Sequence, residues 1–219
     1  MKYVAGLIFG IALGVATALA LIYFNPLTLT QSRIGTDSDW VLEYSLSEAG
    51  TWLSTHDDRV ALPVVPSDVP LLWEKGIKGS LLQSMPLSDA SGDFDAVGTR
   101  ISVPSADSEF VRSGLLVEDY WLISVPGEGT VFVHALNNQW PLVRDTVVRV
   151  GWLQRSWAGP SEYAPTLGPE SSGATVVGLN GRYQGRRGGG RDTFKVDAYD
   201  GSVAEVSGKL VIKLADAEL

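Results

Sequence analysis

Two kinds of hydrophobic pattern divide the chain. From Tyr3 to Phe24 no residue is charged, between Lys2 and Asn25-Pro26. A helix of that length spans roughly 33 Å, enough for a hydrocarbon core of about 30 Å. Tyr3 and Tyr23-Phe24 suit the two interfaces. Within the run, Gly6, Gly10, Gly14 and Ala18 recur at every fourth position. That spacing puts small residues on one helix face, where a second helix can approach closely. Beyond a polar, turn-prone stretch, period two takes over. Trp40, Leu42, Tyr44 and Leu46 alternate along one predicted strand. Leu115–Val125 and Thr130–Leu136 flank Pro126-Gly127-Glu128-Gly129 and read as a hairpin. A third long strand is predicted over Leu142–Gln154. Phe194, Val196 and Ala198 and then Leu210, Ile212 and Leu214 alternate with polar residues around Asp200-Gly201, which reads as a terminal hairpin.

Helical signals after residue 25 are sparse. Ser105 could cap a short helix through Arg112, and Ser67 another through Lys75. Many short strands with turns between them predict an all-β fold, an antiparallel sandwich or barrel-like domain preceded by one N-terminal transmembrane helix. The expected organisation is an anchor over 1–24, a linker over 25–38 and an extracytoplasmic β domain over 39–219. Two subdomains divided near residue 100 are the alternative.

Composition narrows the chemistry. The 219 residues carry 17 Lys+Arg against 25 Asp+Glu, a net charge of −8, with no Cys and 2 His. Disulfides, thiol nucleophiles and Cys- or His-rich metal sites are excluded. The acidic balance argues against nucleic acid as a partner, which would need a basic footprint. Lys2 beside the apolar run orients its amino terminus to the cytoplasm. This makes the expected location the cell membrane, single-pass, with the domain extracytoplasmic (periplasmic in a bacterium).

Candidate sites follow from local chemistry. Arg182, Arg186, Arg187 and Arg191 stand in a glycine-rich stretch from Gly178 to Arg191, a local cation suited to anions or to an acidic partner. Trp157 and Tyr163 lie in a proline-rich segment long enough to form an aromatic docking loop. Asp89, Ser91, Asp93 and Asp95 space oxygen ligands as a calcium loop does, but Arg100 stands where the bidentate Glu belongs. His56 and His134 have no nucleophile at recognisable spacing, and Glu118 and Asp119 point to opposite faces of their strand. No metal or other cofactor is implied.

With no constellation that amounts to an active site, the expectation is a chain that is not an enzyme. The first reading is a membrane-anchored protein-interaction or assembly subunit, pairing with a protein partner or with itself through the transmembrane helix. The alternative is a cell-envelope module that binds glycan or anionic lipid, and an enzyme of unknown class comes third.

Overall fold

The computed structural model describes residues 10–20, 40–46, 49–54, 71–72, 79–89, 94–109, 113–167, 173–199 and 204–215. Strands β1 (Trp40–Ser45), β4 (Ser80–Ser88), β5 (Phe94–Pro104), β6 (Leu116–Val125), β7 (Gly129–Asn138), β9 (Ala174–Gly178), β10 (Arg187–Tyr199) and β11 (Ala204–Leu214) make one antiparallel sheet. Their order is β1-β11-β10-β9-β7-β6-β5-β4, and β4 pairs back on β1 through Glu43 and Ser88. The sheet therefore closes as an eight-stranded barrel, not a sandwich. A closed sheet of this size has room inside for its own side chains. Strands β2 (Gly50–Ser54) and β3 (Leu71–Leu72) extend the β4 side, and β8 (Ser161–Tyr163) pairs with β10.

Two barrel positions are filled by interrupted strands. Glu43 lies opposite Ser88 and Gly50 opposite Ser84, so β2 resumes along β4 where β1 leaves off. Likewise β9 pairs with β10 at Arg187–Gly190 and β8 pairs with it at Phe194–Val196. Both interruptions fall at the same end of the barrel, where β5 runs into Ser102 and β7 into Asn137. At the opposite end Leu42, Met85, Leu87, Trp121, Ile123 and Val131 belong to a closely packed apolar cluster. Tyr183, in a 3-10 turn over Gly181–Tyr183, stacks on Trp40 at 5.7 Å and completes that end. A second, smaller cluster of Leu142, Tyr163, Phe194, Val196 and Val206 lies at the interrupted end.

The strand predicted over Leu142–Gln154 is instead a helix: α-helical at Trp140–Val143 and π-helical at Arg144–Trp152. Val147, Val148 and Val150 favour a strand locally, but Pro141 occupies the first helical turn, where its fixed φ fits and no N–H is needed. Asn138 Oδ1 accepts from the Trp140 N–H at 2.9 Å, and Leu142 and Thr146, four residues apart, are both buried against the barrel end. Tertiary burial of that stripe overrides propensity. Ser105 caps only a turn, accepting from the Asp107 N–H at 3.3 Å. The segment proposed as linker (25–38) lies outside the described residues, as does the Asp200-Gly201 turn; of the helix proposed from Ser67 through Lys75 only Leu71–Leu72 is described, and it is strand β3, parallel to β2.

The membrane anchor is corrected. Among the described residues no helix is long and apolar enough to cross a membrane. The described helix covers residues 10–20, about 16 Å of rise against a core of about 30 Å. The transmembrane element of the fold, and the single-pass location in the cell membrane that rested on it, do not stand. Gly10 and Gly14 have nothing within 4 Å of where a Cβ would sit, Ala18 is exposed, and Gly6 lies outside the described residues.

One close approach shapes the interior. A Cβ on Gly208 of β11 would lie 2.0 Å from Tyr44 Cζ, so the bare backbone makes the space in which the Tyr44 ring lies. Gly208→Ala is therefore expected to lower unfolding free energy by about 1–3 kcal/mol, the usual range for overpacking. Gly50→Ala, whose nearest neighbour would be 3.8 Å away, should stay within about 0.5 kcal/mol. Urea unfolding of the two variants checks both.

Candidate functional site

Between the two apolar clusters the barrel interior carries a layer of polar side chains. Alternation along each strand puts them there. Asp119 shares the inward phase of β6 with Val117, Trp121 and Ile123. Arg100 and Ser102 continue the inward phase of Ala96 on β5, Gln83 that of Met85 on β4, and Asp192 that of Phe194 on β10. Register then brings them together. Arg100 is opposite both Gln83 and Trp121, and Ser102 is opposite Asp119.

The Arg100 Nε–H donates to Gln83 Oε1 at 3.1 Å, and Nη2 bonds to the same oxygen. Nη1 stands 3.6 Å from Asp192 Oδ2, and the Tyr44 hydroxyl donates to Asp192 Oδ1 at 2.9 Å. The guanidinium carbon lies 5.2 Å from the centre of the Trp121 ring and 5.9 Å from that of Tyr44, within cation–π range. Asp119 accepts from the Ser102 hydroxyl on one oxygen and from the Asn137 amide on the other. The Asp192 backbone is pinned by Thr166, whose Oγ1 accepts the Asp192 N–H at 3.0 Å. Asp119 and Asp192 are each 1% exposed.

One permanent cation thus faces two carboxyl groups in a region that water barely reaches. Burial pushes the Asp192 carboxyl up to about 7, with Arg100 opposing and the Asp119 charge adding to the rise. Burial raises the Tyr44 hydroxyl well above its ordinary value, and Asp192 raises it further. Burial works against the Arg100 charge, but the surrounding Tyr44, Asp119 and Asp192 outweigh it and hold the cation more firmly than usual. Below about pH 7 the layer therefore holds an undissociated carboxylic acid beside a guanidinium. Trp121 Nε1 and Asn137 Oδ1 are buried without a hydrogen-bond partner among the described residues.

A cavity of about 50 Å³ adjoins this layer. Tyr44, Gln83, Arg100, Ser102 and Asp119 form its polar side, and Leu142, Phe194 and Val206 its apolar side. Among these polar groups Arg100 supplies N–H donors that can meet an acceptor oxygen. The first apolar cluster forms a solid base behind them.

The residues singled out in the sequence lie elsewhere. Arg182, on the 3-10 turn at the packed end, pairs with Glu128 at 2.6 Å and covers Tyr183 with its guanidinium carbon 4.9 Å from the ring centre. Tyr183 is core, and its hydroxyl also donates to Glu128 at 2.8 Å. Arg186 precedes β10, and Arg187 and Arg191 lie on the outer face of β10, roughly 13 Å apart at the usual strand rise. The four arginines are spread over a turn and a strand. Trp157 and Tyr163 are packing residues: Trp157 meets Tyr199 edge-on at 6.0 Å, and Tyr163 stacks on Phe194 at 5.3 Å and donates to Asp145 at 2.9 Å. His134 is on the outer wall, stacked on Tyr120 at 4.7 Å and 3.6 Å from Glu118. His56, Ser91 and Asp93 lie outside the described residues.

No known protein family matches the chain, and no curated protein matches it. Among solved structures, it is similar to a nonspecific heme-binding cyclase that catalyses [4 + 2] cycloaddition during neoabyssomicin biosynthesis. That match has a TM-score of 0.42 and 13% identity over 83% of this chain and 70% of the other. It is also similar to the Diels-Alderase AbmU from Streptomyces koyangensis, with a TM-score of 0.39 and 11% identity over 81% of this chain and 64% of the other. The chain thus spans less than two thirds of the second protein's length. At these scores the likeness assigns no reaction, cofactor or residue to this chain. Both matched proteins are described as enzymes, and at these scores that description stays with them. The reading as a membrane-anchored interaction or assembly subunit falls with its anchor, since among the described residues no helix is long and apolar enough to cross a membrane.

The proton on Asp192 has a measurable consequence. An unfolded carboxyl titrates near about 3.9, against about 7 for Asp192 in the folded protein. Between those values the folded state keeps a proton that the unfolded state has released. The stability this group confers is full below about pH 4 and is lost as pH rises through about 7. Asp192→Asn should remove that slope, so its stability relative to wild type should improve steadily between about pH 4.5 and about pH 7.5. Urea midpoints of the two proteins across that range check it, and a constant difference would place the proton elsewhere.

Proposed function

We propose that the barrel binds a small carbonyl compound at the polar layer and activates it by hydrogen bonding and general-acid catalysis. The observation that carries this reading is the cluster of Arg100, Tyr44 and Asp119 on the wall of a cavity, with Asp192 buried against Arg100 and Tyr44. A purely structural barrel gains nothing obvious from burying one cation with two carboxyl groups, because desolvation offsets much of their attraction.

The charge balance selects the ligand. Arg100 already faces two carboxyl groups, so an anionic ligand would add like charge at low dielectric, where repulsion is strong. A neutral acceptor oxygen avoids that cost. Of the five Arg100 N–H groups, Nε and one on Nη2 go to Gln83 and Nη1 faces Asp192, which leaves N–H donors on the terminal nitrogens for such an oxygen. Donation from Arg100, with the Asp192 proton close by, draws electron density from the carbonyl. Such preorganised donors in a dry site are among the larger contributors to catalysis.

Acetone, small enough for the cavity, serves as the probe. When it is bound to the wild-type protein, its carbonyl stretching band is expected at lower frequency than in hexane, and the melting temperature should rise with its concentration. Acetate, equal in size but anionic, should raise it much less. A bound carbonyl band at the hexane position, or a stronger effect from acetate, would refute the reading.

A further inference from the structure

The buried acid is set back from the cavity. Tyr44 and Arg100 stand on the wall of the space of about 50 Å³, whereas Asp192 lies behind them. Its Oδ1 meets the Tyr44 hydroxyl at 2.9 Å, and its Oδ2 faces Arg100 Nη1 at 3.6 Å. Any effect of Asp192 on a ligand in the cavity therefore passes through one of those two side chains. Arg100 passes no proton on, because a guanidinium keeps its charge at any accessible pH. Tyr44 can, since a hydroxyl is donor and acceptor at once.

The two oxygens of Asp192 are not equivalent. A proton on Oδ2 would point at a cation, whereas a proton on Oδ1 points at the lone pairs of Tyr44. The undissociated acid therefore carries its hydrogen on Oδ1 and donates it to Tyr44 over the same 2.9 Å. Tyr44 is then free to donate its own hydrogen elsewhere, and it lies on the cavity wall. Ionised Asp192 reverses the bond, because a carboxylate only accepts and draws the Tyr44 hydrogen back to itself. The exchange needs no movement of heavy atoms. The ring is held over the bare backbone of Gly208 and packs on Trp121, with centroids 5.3 Å apart.

Resting on the carbonyl-binding reading, we infer that Tyr44 is the catalytic residue that donates to the ligand's oxygen, and that Asp192 is the positioning residue behind it, turning the Tyr44 hydroxyl toward the cavity. As negative charge develops on the ligand oxygen, Tyr44 gives it the hydroxyl proton and takes the proton of Asp192 Oδ1. One O–H bond forms on the ligand, one breaks on Asp192, and Tyr44 ends as it began. The new carboxylate is held by Arg100. Burial and the Asp192 charge both resist a phenolate at Tyr44, so the two transfers go together. The charged and titratable groups facing Asp192 are Arg100 from β5, Asp119 from β6 and Tyr44 from β1. Strand β11 sets Leu210 opposite it, and Thr166 holds its backbone.

The test is the infrared carbonyl band of bound acetone at about pH 5.5 and about pH 8.5, on either side of the Asp192 titration. In the wild-type protein the band should lie at lower frequency at the lower pH, where Tyr44 joins Arg100 as a donor. Tyr44→Phe, which removes the hydroxyl alone, should show one band position at both pH values. At the lower pH it should also bind acetone roughly threefold to tenfold less tightly, the loss of one hydrogen bond. Asp192→Asn, its oxygen kept by Arg100 and its amide donating to Tyr44, should hold the low-frequency position at both pH values. Melting curves confirm folding, and if Tyr44→Phe does not fold, Asp192→Asn decides alone. A band that still moves with pH in Tyr44→Phe, or one at the high-pH wild-type position in Asp192→Asn, would overturn the relay. A wild-type band displaced equally from the hexane position at both pH values would overturn it too and leave the carbonyl reading intact. A band at the hexane position throughout would overturn both.

Discussion

Arg100 imposes the condition that the rest of the interior satisfies. A guanidinium keeps its charge at any accessible pH, so its burial must be matched by neighbours. The match comes from four strands. Gln83 on β4 meets the fork edge-on, Trp121 on β6 and Tyr44 on β1 face it with their rings, and Asp192 on β10 supplies the opposing charge, with Asp119 on β6 close by. Those carboxyl groups then need partners of their own, which are Tyr44, Ser102 and Asn137. Removing any one member leaves a buried group without its complement, which is what makes such a layer expensive to alter.

Barrel closure and the position of that layer are coupled. At the packed end the eight strands pair continuously, and Trp40 with Tyr183 covers the base. At the other end β1 passes to β2 and β9 gives way to β8, so the wall is built from shorter pieces. The helix after β7 brings Leu142 over the opening. A tight base, a polar layer and a pieced rim make a pocket with a direction, and the chemistry lies at the inner limit of access.

The membrane reading and the assembly reading both grew from the apolar run near the amino terminus. Among the described residues no helix is long and apolar enough for that role, and the buried charges lie in the barrel interior. The arginine-rich stretch changes meaning too. As a string it is a flexible cation, whereas in the fold Arg187 and Arg191 are outward residues of β10 and Tyr183 is part of the core. Gly188 serves a close contact between strands, since a Cβ there would lie 1.7 Å from the Lys213 carbonyl oxygen of β11.

Much of the all-β architecture was legible from alternation: β1, the β6–β7 hairpin and the β10–β11 hairpin all follow period two, because each strand has one dry and one wetter face. The candidate site was legible in one respect. Asp119 and Asp192 occupy the apolar phase of their strands, in step with Trp121 and with Phe194, and a charge in that phase signals a buried partner. What alternation does not contain is register between distant strands. Arg100 meets Asp192 only because β5 and β10 are walls of the same closed barrel, more than ninety residues apart in sequence. Sandwich and barrel share the same local pattern, and closure depends on the pairing of β1 with β4. The helix at Trp140–Trp152 was decided the same way, by the burial of Leu142 and Thr146 against a barrel end that exists only once the sheet has closed.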